Sequence, residues 1–187
     1  MHILCLLTQR ITSEDTDDDV SVIIGYRPAP VFGYGQTDGN PLAADPSDAD
    51  WLRELPLRAV AERWGIAIDV RDATTGAHGS FQPGAINLGV GNLSTWRHEL
   101  MHAADHRNGR LTERGQHWRS ETVAELGGAV LLELLGYHQE ADLGGCWDYI
   151  RTYADRASIS PLAACNQVLQ RTCDAVAAVL KAAEDAA

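Results

Sequence analysis

His98, Glu99 and His102 stand in the run His98-Glu99-Leu100-Met101-His102. Residues four apart on a helix share one face, so two imidazoles at this spacing can grip a single metal ion. Glu99, directly after the first histidine, then reaches a water activated by that ion. Two His ligands with a Glu as general base is the zinc metallopeptidase arrangement. The motif therefore predicts Zn2+ as cofactor and peptide hydrolysis as chemistry. The competing reading is a solvated helix that carries two unrelated histidines.

A two-His site needs a third protein ligand, and a carboxylate from a neighbouring helix is one standard solution. Glu121 and Glu125 lie one turn apart on a later helical stretch. This fits a pair in which Glu121 binds the metal and Glu125 orients a histidine ligand from behind. Asp105 is the alternative ligand, three residues past His102, with His106 less favoured because the helix carries it away along the axis. A metzincin would need Gly at 105 and His at 108, and the chain has Asp105 and Asn108.

These side chains need two helices and a sheet to position them. Ser94 and Thr95 are good N-caps for a helix from Trp96 to about His106, and a second helix is expected from roughly Trp118 to Leu135, ended by Gly136. The strand expected at 85–90, just before the motif helix, offers an edge on which an extended substrate could pair. Other strands are expected at 2–8, 20–26, 66–70 and from Ser80, with an extended run at 28–32. Apolar spacing predicts one helix from Trp51 to Trp64, stopped by Gly65, and two later helices at about 143–156 and 160–184. The acidic run 13–19 reads as a solvated, mobile hairpin loop, residues 33–46 as a long irregular loop and 73–79 as a turn. The fold class is α+β, a small curved sheet packed on a helical half.

The chain has 187 residues, enough to bury a core, with 26 acidic against 15 basic residues and a formal net charge of −11. That balance repels phosphate backbones and argues against a non-specific nucleic-acid grip. The four cysteines lack the density of a disulfide framework, and Cys165 and Cys173 read as small core residues. No signal peptide or membrane-spanning run is legible, so a cytoplasmic setting, an intracellular protein or peptide substrate and no membrane partner are expected. The sequence carries no signal of oligomeric state.

Three separated stretches resemble the ArdC-like antirestriction proteins. Gly25-Tyr26-Arg27-Pro28-Ala29-Pro30-Val31-Phe32, with Gln36 to Leu42, is similar to the segment before their peptidase motif. Thr95 to His102 resembles their HExxH zincin motif, and Glu121 to Ala129 their following Glu helix. The resemblance covers most of residues 20–182 and implies a zincin-like metallopeptidase domain, here 46–187, encoded on mobile elements to counter host restriction. It also implies Glu121 as ligand and Glu125 in support. The family's N-terminal domain binds single-stranded DNA. Residues 1–45 correspond only to a remnant of it, so binding of single-stranded DNA by this chain rests on resemblance alone.

The expected hydrolase uses Glu99 to take a proton from the attacking water and return it to the leaving amine. Tyr137, His138, His117 and Tyr149 are unranked candidates for stabilising the oxyanion. His78 and His138 otherwise read as surface residues, and the five tryptophans as core or helix-packing residues. Two further functions compete: a non-catalytic, zinc-stapled binding protein and a single-stranded-DNA-binding protein.

Overall fold

A computed structural model of the chain describes residues 2–12, 19–30, 46–70, 78–89, 91–139 and 143–186. The chain divides into two units, Met1–Leu42 and Ala43–Ala187. The first is a hairpin of two antiparallel strands, β1 (His2–Thr12) and β2 (Asp19–Pro30), with an irregularity in register between Leu7 and Thr8. Both strands run further than their apolar cores suggest. Among the described residues β1 and β2 pair only with each other, so a proline such as Pro28 near the end of β2 can leave its missing N–H on an outer edge at little cost. Most of the expected acidic loop (13–19), whose Asp19 begins β2, the stretch 31–45 and most of the turn at 73–79 lie outside the described residues.

The second unit is α+β. It holds a three-stranded sheet and six helices among the described residues. The first two helices replace the single one expected over 51–64: α1 (Pro46–Arg53) and α2 (Arg58–Arg63). Pro56 breaks the run, since its ring clashes with the carbonyl four residues back and disfavours helix at Leu55. Leu57 then sits left-handed at φ 65° before α2 restarts. The apolar spacing still reports burial correctly, for Leu55, Val60 and Ala61 all enter the core.

Strands β3 (Ala67–Val70), β4 (Gly79–Gln82) and β5 (Ala85–Leu88) form the sheet in the order β3-β5-β4. β3 lies parallel to β5, and β4 antiparallel to it. This overturns the expectation that the strand before the motif helix presents an edge. β5 is central and both its ladders are occupied, because a tight turn through Gly84 (φ +89°) folds β4 back onto it. The edge next to the site belongs to β4.

Helix α3 (Leu93–Arg107) runs through the middle of the unit. Its cap is Asn92, whose side-chain oxygen accepts the Thr95 N–H at 2.7 Å, so Ser94 and Thr95 lie inside the first turn instead of capping it. Trp96, Leu100, Met101 and Ala104 are fully buried against β5, α4 (Trp118–Leu134) and α6 (Pro161–Glu184). Trp96 also donates its indole N–H to the Pro56 carbonyl at 2.8 Å, which ties the α1–α2 break to the core. Truncating a tryptophan buried in this way costs about 3–5 kcal/mol. Helix α5 (Leu143–Arg156) packs on α4 and α6 through a smaller cluster of Ala129, Cys146 and Ile150.

At the α3–α4 contact a Cβ at Gly127 would overlap the end of the Met101 side chain, which would have to shift, whereas one at Gly128 would make ordinary contact with the α3 backbone. Of the tryptophans, Trp96 is core and Trp51, Trp64 and Trp118 pack against it, but Trp147 is 47% exposed. Cys146 is buried, whereas Cys173 is exposed and not a core residue, since its position on α6 faces away from the neighbouring helices. No helix among the described residues is long and apolar enough to cross a membrane.

Candidate metal centre

The four-residue spacing on α3 sets His98 and His102 side by side, their ring centroids 4.8 Å apart and nearly perpendicular. Glu121, in the first turn of α4, reaches both. Its Oε2 lies 3.4 Å from His98 Nε2 and its Oε1 lies 3.8 Å from His102 Nε2. One donor atom from each of the three residues lies within 4.8 Å of the others, so this group could hold a metal ion.

The donor set fits zinc chemistry. Two imidazoles and a carboxylate are its usual catalytic ligands, and donors about 2.0–2.1 Å from a tetrahedral ion lie about 3.3 Å from one another. The two separations from Glu121, 3.4 and 3.8 Å, lie near that value, and all three donors fall within 4.8 Å of one another. Glu125 contributes from one turn further along α4, its Oε2 2.8 Å from His98 Nδ1. That contact directs the other ring nitrogen, Nε2, toward the group.

Electrostatics agree with a cation seat. Burial works against a charged His98, but hydrogen bonds to Glu121 and Glu125 and the nearby Glu99 outweigh it and raise its pKa to about 10. Burial followed by the His98 charge lowers His102 to about 3, leaving that ring neutral. For Glu121, burial alone would favour the acid, yet the His98 bond, His102 and Tyr149 hold it below its ordinary value. A proton on His98 thus does in this cluster what a metal ion would do, balancing buried carboxylates.

Glu99 is 5% exposed and lines the same cleft. Burial is the largest cause of its rise to about 7, opposed by His98 and assisted by Glu121. A carboxyl near neutrality is suited to accept and return a proton. The cleft, of about 800 Å³, is walled by Gly79, Ser80 and Phe81 of β4 on one side. Leu111, Glu113 and Gln116 from the α3–α4 loop and Tyr149 and Tyr153 of α5 also line it. A Cβ at Gly79 would lie 2.6 Å from Glu99 Oε1, so the strand passes Glu99 at a distance only glycine allows.

The four oxyanion candidates separate clearly. Tyr149 is in the site: its hydroxyl donates to Glu121 Oε2 at 2.7 Å and its ring meets His98 edge-on at 5.5 Å. Burial, then Tyr153 and Glu121, push that hydroxyl's pKa upward, so it remains a donor. His117 is the N-cap of α4 and accepts the Arg119 N–H. His138 is exposed and bonded to Glu133 at 2.6 Å, while Tyr137 sits under the Arg97 guanidinium at 5.0 Å. His78 is exposed but lines the cleft, which sequence alone did not indicate.

Asp105, the alternative ligand, is engaged elsewhere. It is 1% exposed and both oxygens bind Arg171 of α6 at 2.5–3.0 Å. Arg171 also grips Glu113 at 2.7 and 2.9 Å, pinning the cleft-lining loop to α6. His106 packs against Phe81 with ring centroids 5.6 Å apart. The signal for Arg171 was absent from the sequence because its partners lie 66 and 58 residues away.

Fold and site together define an α+β domain with a His-His-Glu group that could bind metal. The chain matches no family model and no curated protein. Among solved structures it is similar to the crystal structure of the antirestriction ArdC protein from the R388 plasmid, in a metal-free form. The identity is 20%, the match covers 100% of this chain and 70% of that one, and the TM-score is 0.40.

Proposed function

We propose that this chain is a zinc-dependent metallopeptidase with a zincin-like domain, of the ArdC-like antirestriction type. On this reading it cleaves peptide bonds of an intracellular protein in the cytoplasm. The observation that carries the reading is the convergence of His98, His102 and Glu121 beside a buried Glu99. The antirestriction setting rests on the three motif resemblances in the sequence.

A divalent ion in this seat supplies Lewis acidity, which can bring the pKa of a water from ~15.7 toward ~7. His98, His102 and Glu121 would hold it, and Glu125 keeps His98 in the required tautomer. An extended peptide pairing with the outer edge of β4 lays its backbone across the cleft. Glu99 takes the proton of the attacking water and delivers it to the leaving amine. Tyr149 is the side chain placed to donate to charge developing on the substrate carbonyl oxygen, once its hydroxyl leaves Glu121.

Elemental analysis and a proteolysis assay test this together. Purified protein should carry about one zinc per chain. Glu99→Gln should retain the metal and lose proteolysis by at least a hundredfold, as loss of a general base does. A Glu99→Gln variant that cleaves as well as the parent would reject the mechanism. A zinc-loaded parent inactive on every substrate would favour a metal-stapled binding protein.

A further inference from the structure

The Arg171 side chain of α6 is 12% exposed and lies outside the metal cleft, yet it holds one of the cleft's walls. Its Nε and Nη2 face Asp105 of α3 at 2.5–3.0 Å, and its Nη1 and Nη2 face Glu113 of the α3–α4 loop at 2.7 and 2.9 Å. Two edges of one planar guanidinium are each filled by a carboxylate, which sets the angle between the two partners as well as their distance. Burying three charged groups is a poor way to join helices, since apolar residues of similar volume often do as well or better. What the ionic cluster adds is a fixed direction for Glu113.

The loop depends on that direction. Its first residues are tied down by main-chain bonds, the Arg110 and Leu111 N–H groups donating to the Asp105 carbonyl at 3.0 and 3.3 Å. From Glu113 to Gln116 the one backbone–backbone hydrogen bond among the described residues stays inside the loop, from the His117 N–H to the Gly115 carbonyl. Yet Glu113, Gly115 and Gln116 line the cleft, together with Leu111. The Glu113–Arg171 bridge is therefore what ties this wall to the helical half.

We infer that Arg171 is a positioning residue for the substrate: through Glu113 it sets the 111–116 wall against which an extended polypeptide segment is gripped. The inference rests on the peptidase reading and adds to it a substrate class, a chain of several residues in place of a dipeptide. β4 offers four residues, about 13 Å of edge, so a peptide paired along it carries side chains past the metal group to the other walls.

Two hydroxamates that bind zinc directly separate the wall from the metal. Acetohydroxamate reaches little beyond the ion, and an alanine hexapeptide capped with a hydroxamate extends along the cleft. Both are titrated by calorimetry into the zinc-loaded full chain, and the parent should bind the capped peptide at least tenfold more tightly. Arg171→Lys keeps a charge beside Asp105 but loses the planar fork. It should weaken the capped peptide at least fivefold and change acetohydroxamate less than twofold. Glu113→Ala, which leaves the Arg171–Asp105 pair intact, should do the same even if lysine at 171 unfolds the domain. Glu113→Gln, which keeps one acceptor for Arg171, should recover part of the loss. For any peptide the parent cleaves, Arg171→Lys should raise KM at least fivefold and change kcat less than twofold. Equal losses for both hydroxamates would make Arg171 a prop of the whole domain, and no loss for either would free the wall from it. Each of these overturns the inference, as does a zinc-loaded parent that binds both hydroxamates equally. A parent that takes up no zinc rejects the peptidase reading itself, and the inference falls with it.

Discussion

Glu125 Oε2 sits 2.8 Å from His98 Nδ1, so a residue of α4 orients a ring on α3. Supporting contacts of this kind typically contribute 10–100-fold to metal affinity. Glu125→Ala should therefore weaken zinc binding by that factor, measured by competition with a chromogenic chelator, while the circular dichroism of the folded domain is retained. An unchanged affinity would show that His98 is oriented by its helix alone.

Metal binding should also be visible in stability. An ion that binds the folded chain at a thousand times its Kd adds about 4 kcal/mol. For a chain of this length each kcal/mol moves Tm by about 2–4 °C, so zinc should raise Tm by roughly 8–16 °C. Glu121→Ala, which removes the carboxylate that α4 brings to the His98–His102–Glu121 group, should abolish most of that rise. If Asp105→Ala abolishes it instead, the ligand set is wrong.

Gly79 touches the chemistry through space alone. An added methyl would overlap Glu99 Oε1 at 2.6 Å and Thr95 Cγ2 at 2.7 Å, so either β4 retreats or Glu99 swings away. Gly79→Ala should leave zinc stoichiometry intact and lower kcat of proteolysis by tenfold or more. Parental kcat would mean that the Glu99 carboxylate need not occupy its present position.

The convergence of His98, His102 and Glu121 was legible in the sequence because its determinants are local. Four-residue spacing on one helix and a glutamate pair on the next place the donor groups with little help from the rest of the chain. What was not legible is set by distant partners or by competing local signals. The apolar period from Trp51 to Trp64 is continuous, and only Pro56 reveals that two helices share it. β5 looks like an edge until β4 folds back through Gly84, and four oxyanion candidates look alike until the packing of α5 brings Tyr149 alone onto Glu121. Asp105 has ligand spacing on α3, but Arg171, from the far end of the chain, claims it.

That last cluster yields a pH prediction. The Arg171 hydrogen bonds are the largest cause holding the Glu113 pKa at about 2, against an ordinary value of 4.5. A carboxylate whose folded pKa is depressed contributes stability above its unfolded pKa and loses that contribution as pH falls toward the folded one. The Glu113–Arg171 contribution is thus fully present above about pH 5 and fades between pH 4.5 and 2. Glu113→Gln cannot titrate, so the stability gap between parent and variant, read from urea midpoints at pH 6, 5, 4 and 3, should be constant at first and then narrow. Because Glu113 lies in the loop that walls the cleft, amide exchange at 111–116 should quicken in the variant at pH 6 and converge with the parent in acid. A gap as wide at pH 3 as at pH 6 would mean that Arg171 gains nothing from the charge on Glu113, and that Asp105 alone anchors it.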